Sequence, residues 1–274
     1  MPELPEVETI ARGVHQRIAG EQIVSSWFSG KKEPMKSPVA VMSEVLDGAK
    51  IERVHRIGKH IVFNLARNKK PHAQWIVHLG MSGRLLVNAA DIQQPSHTHA
   101  ELGLSSGRFL RFVDPRRFGR LSVVSFSKDE VGFMGPGSEP LTIGEKEFAA
   151  LFQNRKTSIK AALLDQSLLH GVGNIYADES LFRAGIRPGN KAGKLTQKQR
   201  ETLRKALQNV LREAIKLGGS SVSDYVDADG VEGFFQLRHR VYQRTGEPCL
   251  VCKTSIKRIT LAGRSTHYCP HCQK

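Results

Sequence analysis

Met1-Pro2-Glu3-Leu4-Pro5-Glu6-Val7 opens a chain of 274 residues, and the spacing that starts there predicts a helix reaching Gly20. Leu4, Val7, Ile10, Val14 and Ile18 fall at the i, i+3, i+4 intervals of one buried face. Pro5 sits in the first turn, where a missing N–H costs nothing, and Gly20 is a stop. Glu6 lies in that turn too, near the positive end of the helix dipole. The same residues carry chemistry. Loss of Met1, which a small second residue favours, would leave Pro2 as a terminal secondary amine, and terminal amines titrate near about 8. Added to a sugar C1′, a secondary amine becomes an iminium, cationic without a proton and therefore a ready electron sink. Glu3 and Glu6 bracket it. Taken alone, the stretch reads equally well as a capped amphipathic helix that starts a domain.

A helix with one apolar face needs a surface to cover, and the next hundred residues supply it. Short β runs are predicted at 23–28, 51–54, 60–65, 74–78, 84–87, 100–104, 109–113 and 121–126, with Ser105-Ser106-Gly107 as a hairpin turn. Many short strands at regular spacing favour an antiparallel sandwich or barrel with the N-terminal helix packed on it. Several residues in the connections stand out. Lys59 follows Gly58, Met81 lies between Gly80 and Gly83, and Arg116 and Phe118 lie in Asp114-Pro115-Arg116-Arg117-Phe118-Gly119. Residues 129–140 hold three glycines and two prolines, the composition of a kinked and stiffened linker. A hinge there would let two domains close on a duplex.

Beyond the linker the period becomes 3.6. Helices are predicted at 145–154, 158–166, 174–184 and 197–217, the last with a Thr196/Gln199 capping box and a Gly218-Gly219 stop. Gly171-Val172-Gly173-Asn174 precedes one helix start, where outward N–H groups and the helix dipole favour an anion such as a phosphate. The tail carries Cys249-x-x-Cys252 and Cys269-x-x-Cys272, sixteen residues apart. That is the two-knuckle spacing of a closed, structural four-thiolate zinc site. A hairpin turned at Ala262-Gly263 would put Arg264 at its tip.

Composition narrows the partner. Lys and Arg number 41 against 26 acidic residues, a formal charge of +15, which suits a polyanion such as nucleic acid. Residues 237–274 alone hold eight basic residues and one acid, Glu247. No run approaches the roughly 18 apolar residues of a membrane span, and no basic-then-apolar leader opens the chain. An intracellular protein is expected.

These motifs, in this order, resemble bacterial formamidopyrimidine-DNA glycosylases. The resemblance rests on Pro-Glu-Leu-Pro-Glu-Val-Glu-Thr at the start, the Met81 and Arg116–Phe118 turns, Leu163-Leu164-Asp165-Gln166 through Gly171-Val172-Gly173-Asn174-Ile175-Tyr176-Ala177-Asp178-Glu179, and the zinc tail. It implies an α+β multidomain fold: an N-terminal antiparallel β-sandwich with flanking helices (1–128), a linker (129–140), a helix-two-turn-helix domain with a lesion-recognition loop (141–236), and a C-terminal β-hairpin zinc finger (237–274). The implied activity is a DNA glycosylase and abasic-site lyase of base excision repair. Such an enzyme removes oxidised purines such as 8-oxoguanine and formamidopyrimidines through a Pro2 iminium and β,δ-elimination.

The resemblance also implies roles for single residues. Glu3 would donate and accept protons and Glu6 would support the site. Lys59 would contact the lesion and serve β-elimination. Met81, Arg116 and Phe118 would enter the duplex, and His97, Arg116, Lys160, Asn174, Tyr242 and Arg264 would bind DNA, Arg264 also serving δ-elimination. Cys249, Cys252, Cys269 and Cys272 would hold one structural Zn²⁺. A bacterial cytoplasmic, nucleoid-associated monomer acting on double-stranded DNA with oxidised bases or abasic sites is expected. Glu179 reads as structural. Two other readings stay open: a non-catalytic zinc-ribbon nucleic-acid-binding protein, which leaves the N-terminal proline unexplained, and an endonuclease VIII-like enzyme for oxidised pyrimidines, against which stand Leu4, Arg116 and Phe118.

Overall fold

Helix α1 (Leu4–Ile18) forms where its apolar stripe predicts, with Leu4, Val7, Ile10, Val14 and Ile18 all buried. A reciprocal capping box between Glu3 and Glu6 closes its first turn, and Gly20, at φ +91°, ends it. The structure, a computed structural model, describes residues 1–126, 132–221 and 233–274. The chain divides into two compact units, Met1–Gly135 with Gly218–Gly233, and Pro136–Leu217 with Phe234–Lys274.

The first unit continues with β1 (Ile23–Phe28), α2 (Val39–Leu46), β2 (Lys50–Ile57), β3 (His60–Arg67), β4 (Lys70–His78), β5 (Arg84–Asn88), β6 (Thr98–Leu104), β7 (Phe109–Val113) and β8 (Arg120–Ser125). The strands make two antiparallel sheets, ordered β1-β6-β7-β5 and β2-β3-β4-β8. Ile23, Leu102 and Phe112 of one sheet and Phe63, Trp75 and Leu121 of the other share a core with the buried face of α1. The expected sandwich is therefore present. Helix α2 falls between the strands expected at 23–28 and 51–54, where no element is predicted. Val39 and Val41 are exposed, and Met42, Val45 and Leu46 supply the buried i, i+3, i+4 face.

The second unit holds α3 (Glu145–Phe152), α4 (Ile159–Leu164), α5 (Asn174–Arg183), α6 (Gln197–Lys216) and the hairpin β9 (Lys257–Leu261) and β10 (Arg264–Tyr268). The Thr196/Gln199 capping box starts α6 with both of its hydrogen bonds made. Leu203, Leu207, Val210 and Leu211 form its buried stripe. Ala262 and Gly263, both at positive φ, make the two-residue turn that joins β9 to β10.

Of the linker expected at 129–140, residues 129–131 lie outside the described residues, as do residues 222–232 of the 141–236 domain expected to hold a lesion-recognition loop. Phe133 N–H donates to Gln74 Oε1 at 2.7 Å in the first unit, Ser138 N–H to Leu168 O at 3.0 Å in the second, and the division falls between Gly135 and Pro136.

Candidate active site and nucleic-acid interface

The N-terminal site is built by the first turn of α1. Met1 is exposed, whereas Pro2, Glu3 and Glu6 are buried. Glu6 Oε2 accepts the Glu3 N–H at 2.8 Å, and Glu6 Oε1 accepts the N–H of Ser220 at 2.8 Å. Both carboxylates thus belong to the turn that follows Pro2, on the end of the helix whose dipole favours negative charge.

Lys59 occupies the two-residue turn between β2 and β3, opened by Gly58 at φ +60°. The turn is followed by the cross-strand pair His60 and His78, whose ring centroids are 5.0 Å apart. Burial pushes His78 down to about 4, helped by the charges of His60, Arg120 and Lys59. A neutral His78 accepts the Gly80 N–H at Nδ1, 3.1 Å away, and so fixes the turn that carries Met81. The folded value lies below the ordinary histidine value of 6.5, so between these values the unfolded chain binds more protons and stability falls with falling pH. Acidification from pH 7 toward 4 is expected to lower the melting temperature and to release the Met81 turn. His78→Gln, which cannot titrate, should lose part of that pH dependence in thermal melts.

Met81, Arg116 and Phe118 come together as one element. Gly80 lies against the Phe118 backbone so closely that a Cβ there would stand 2.5 Å from Phe118 C, and its φ is +63°. Buried Asp114 ties the two turns: Oδ1 accepts the Ser82 hydroxyl at 2.6 Å and Oδ2 the Gly119 N–H at 2.7 Å. Ser82 Oγ in turn accepts the Arg116 N–H at 3.3 Å. Met81 and Phe118 are exposed, at 42% and 51%, large apolar side chains held out on a braced base. The Arg116 guanidinium lies 4.9 Å from the Phe118 ring centroid. His97, at φ +64°, is also exposed. His99, two residues on, is buried and directed at Asp114 O and Ser29 Oγ.

In the second unit the turn before α5 is shaped by Gln166. Its amide donates to Leu164 O and Val172 O and accepts the Gly171 N–H, with Gly171 at φ +93°. Asn174 then starts α5 and donates from Nδ2 to Ser265 Oγ at 3.3 Å. Arg264, the neighbour of Ser265, is exposed at the hairpin tip. Lys160 is not at the surface: it has no exposed area, and its ammonium pairs with Asp178 at 2.7 Å and donates to Ser265 O at 2.7 Å. An ammonium so placed braces the hairpin against α4 and α5, and removing either buried partner would strand the other charge. Asp178 also accepts the His267 N–H at 2.8 Å. Glu179 is buried and accepts the backbone N–H groups of Arg240, Val241 and Tyr242, which makes it a structural anchor. Burial raises its carboxyl, and those three donors oppose the rise. The half-buried Tyr242 ring stands edge-on to His267 at 5.2 Å.

Cys249, Cys252, Cys269 and Cys272 place their sulfurs within 4.8 Å of one another. The Cys249–Cys272 and Cys252–Cys269 separations are 3.9 and 3.4 Å. A tetrahedron with Zn–S bonds of about 2.3 Å has edges of about 3.8 Å, so the set fits one Zn²⁺, whereas a disulfide needs about 2 Å. Val251 N–H points at Cys249 Sγ and Cys272 N–H at Cys269 Sγ, donors that suit thiolates.

The formamidopyrimidine-DNA glycosylase N-terminal domain model matches residues 1–121, and the H2TH domain model of the same enzymes matches 134–226. The chain belongs to the formamidopyrimidine-DNA glycosylase family. A zinc finger model found in these glycosylases and in IleRS matches 246–274, and the four thiolates hold a structural zinc. A formamidopyrimidine-DNA glycosylase from Solibacter usitatus is 45% identical over 274 residues, all of both chains. A Lactococcus lactis mutant of the family, solved with DNA containing Fapy-dG, superposes with a TM-score of 0.88 at 32% identity over the whole of both chains. The Lactococcus lactis protein with abasic-site DNA gives 0.87 at 32%, covering 99% of each.

For a glycosylase of this family the motifs pointed to the candidate side chains and missed their supports. Ser82, Ser265 and Ser220 carry no sequence signal, since a serine in a turn is ordinary. Asp114 could have been found by asking why an acid opens the basic turn Asp114-Pro115-Arg116-Arg117-Phe118-Gly119.

Proposed function

We propose that the chain is a bifunctional DNA glycosylase and abasic-site lyase of base excision repair, acting as a monomer in the bacterial cytoplasm on double-stranded DNA that carries an oxidised purine or an abasic site. The observation that carries the reading is a buried Pro2 directly before a helix start whose capping box is made by the buried Glu3 and Glu6.

With Met1 removed, the neutral Pro2 amine attacks C1′ of a flipped nucleotide. The C1′–N bond breaks, and the base leaves with the electron pair and a proton. The C1′–O4′ bond then opens to the iminium, O4′ taking a proton while the amine proton is lost. Glu3 moves these protons. The iminium acidifies C2′–H, and the electrons of that bond expel the 3′ phosphate. Loss of a C4′ proton then expels the 5′ phosphate, and water releases the sugar remnant from Pro2. Lys59 stabilises the lesion's flanking phosphate and the first elimination. Flipping leaves a gap in the stack, which Met81 and Phe118 fill while Arg116 meets the orphan base. Asn174 and Arg264 hold phosphates, with Lys160 bracing them from beneath, and His97 and Tyr242 add contacts to DNA. Zinc supplies the fold of the tail; its four protein ligands leave no open coordination position for chemistry.

Incision of a duplex carrying one 8-oxoguanine opposite cytosine tests this. Products ending in phosphate on both sides of a one-nucleotide gap are expected. Binding without incision of this lesion, a formamidopyrimidine or an abasic site would make the protein a non-catalytic binder.

A further inference from the structure

Glu6 reaches two segments that are far apart in sequence. One carboxylate oxygen accepts the N–H of Glu3, three residues before it, and the other accepts the N–H of Ser220, 214 residues after it, both at 2.8 Å and both buried. The Ser220 segment is itself a close-packed stem. Gly219, at φ +85°, lies so near Glu6 that a Cβ there would stand 2.9 Å from both Cγ and Oε1. A Cβ on Gly233 would collide with the Gly219 carbonyl, and the Gly233 N–H donates to Ser221 Oγ at 2.8 Å. Only residues without side chains fit two of these places.

We infer that Glu6 is a positioning residue rather than a proton carrier: its carboxylate locks the N-terminal turn to the stem made by Gly219, Ser220, Ser221 and Gly233, so that the stem sets the orientation of Pro2 and Glu3. This rests on the reading of Pro2 as nucleophile. The physical reason is that a carboxylate shared between two fixed backbone donors defines the distance between them, whereas an attacking amine tolerates little misplacement. It follows that Gly219→Ala, which leaves every titratable group in place, should damage the reaction in the same way as Glu6→Gln.

The test uses the full, zinc-loaded chain with Met1 removed. Single-turnover strand cleavage at one abasic site is followed from pH 5 to 9 for the parent, Glu6→Gln, Gly219→Ala and Ser221→Ala, with melts to show that each is folded. The expected result is a fall of about 10- to 100-fold in Glu6→Gln and Gly219→Ala, a smaller fall in Ser221→Ala, pH limbs unchanged from the parent, and covalent trapping by borohydride still detectable in all. Loss of one pH limb in Glu6→Gln but not in Gly219→Ala would assign proton transfer to Glu6 and overturn the inference. Parental rates in either variant would overturn it too. Should Glu6→Gln not fold, Gly219→Ala decides: a slowed reaction with parental pH limbs supports the inference, and a parental rate overturns it. Absence of trapping in the parent would instead indict Pro2.

Discussion

Stripped of its zinc by a chelator, the protein is expected to lose the tail's fold and to bind duplex DNA on the order of 100-fold more weakly, with a salt dependence flattened by about one phosphate contact or more. The tail's apolar support is small. Its apolar cluster consists of Phe182, Val241 and Ile256 with Cys249 and Cys269, whereas a structural Zn²⁺ contributes roughly 10–16 kcal/mol in zinc-finger peptides. Cys269 follows directly on β10, the strand that begins with Arg264 and Ser265. Ser265 receives both Asn174 and Lys160. Losing the metal therefore removes the Arg264 tip and the support of Asn174 together. Fluorescence anisotropy on a labelled duplex, before and after chelation and after zinc is restored, measures this. Unchanged affinity in metal-free protein would contradict it.

Protein that keeps Met1 is expected to lose strand cleavage by about 10³- to 10⁶-fold, the scale on which removing a nucleophile acts. In that form the Pro2 nitrogen is an amide, whose lone pair is delocalised into the carbonyl and cannot attack C1′. Binding should survive, because the exposed Met81, Arg116, Phe118 and Arg264 are untouched. Pro2→Gly with Met1 removed should fall between the two forms. Its primary amine still forms a Schiff base, but that imine must be protonated before it draws electrons, and the secondary amine needs no such step. Single-turnover incision with the N-terminal mass of each preparation separates the three cases.

Much of this molecule was legible in the order of its residues. The α1 stripe, the eight strand segments of the sandwich and the capping box of α6 follow from periodicity and cap chemistry, both of which are local. The cysteine spacing predicted a metal site because four ligands on one ion need two tight turns. What was not legible depends on contacts between distant positions. Helix α2 is short and valine-rich, and only its burial on the sandwich makes Met42, Val45 and Leu46 a face. The resemblance implied a phosphate contact for Lys160, and nothing local signals its burial, which goes with its pairing to Asp178, one helix further on. Glu6 looked like a helix-cap acid, and it is one, but its second oxygen is explained by Ser220, which no local pattern connects to it.

The most direct test of the central claim is reduction by borohydride during reaction with a duplex carrying one 8-oxoguanine opposite cytosine. Hydride delivered to C1′ converts an iminium into a stable amine, and peptide mass analysis locates it. An adduct on the N-terminal peptide, at the Pro2 nitrogen, is the predicted result. An adduct on a lysine such as Lys59, or none from protein shown to begin at Pro2 and to hold zinc, would contradict the account.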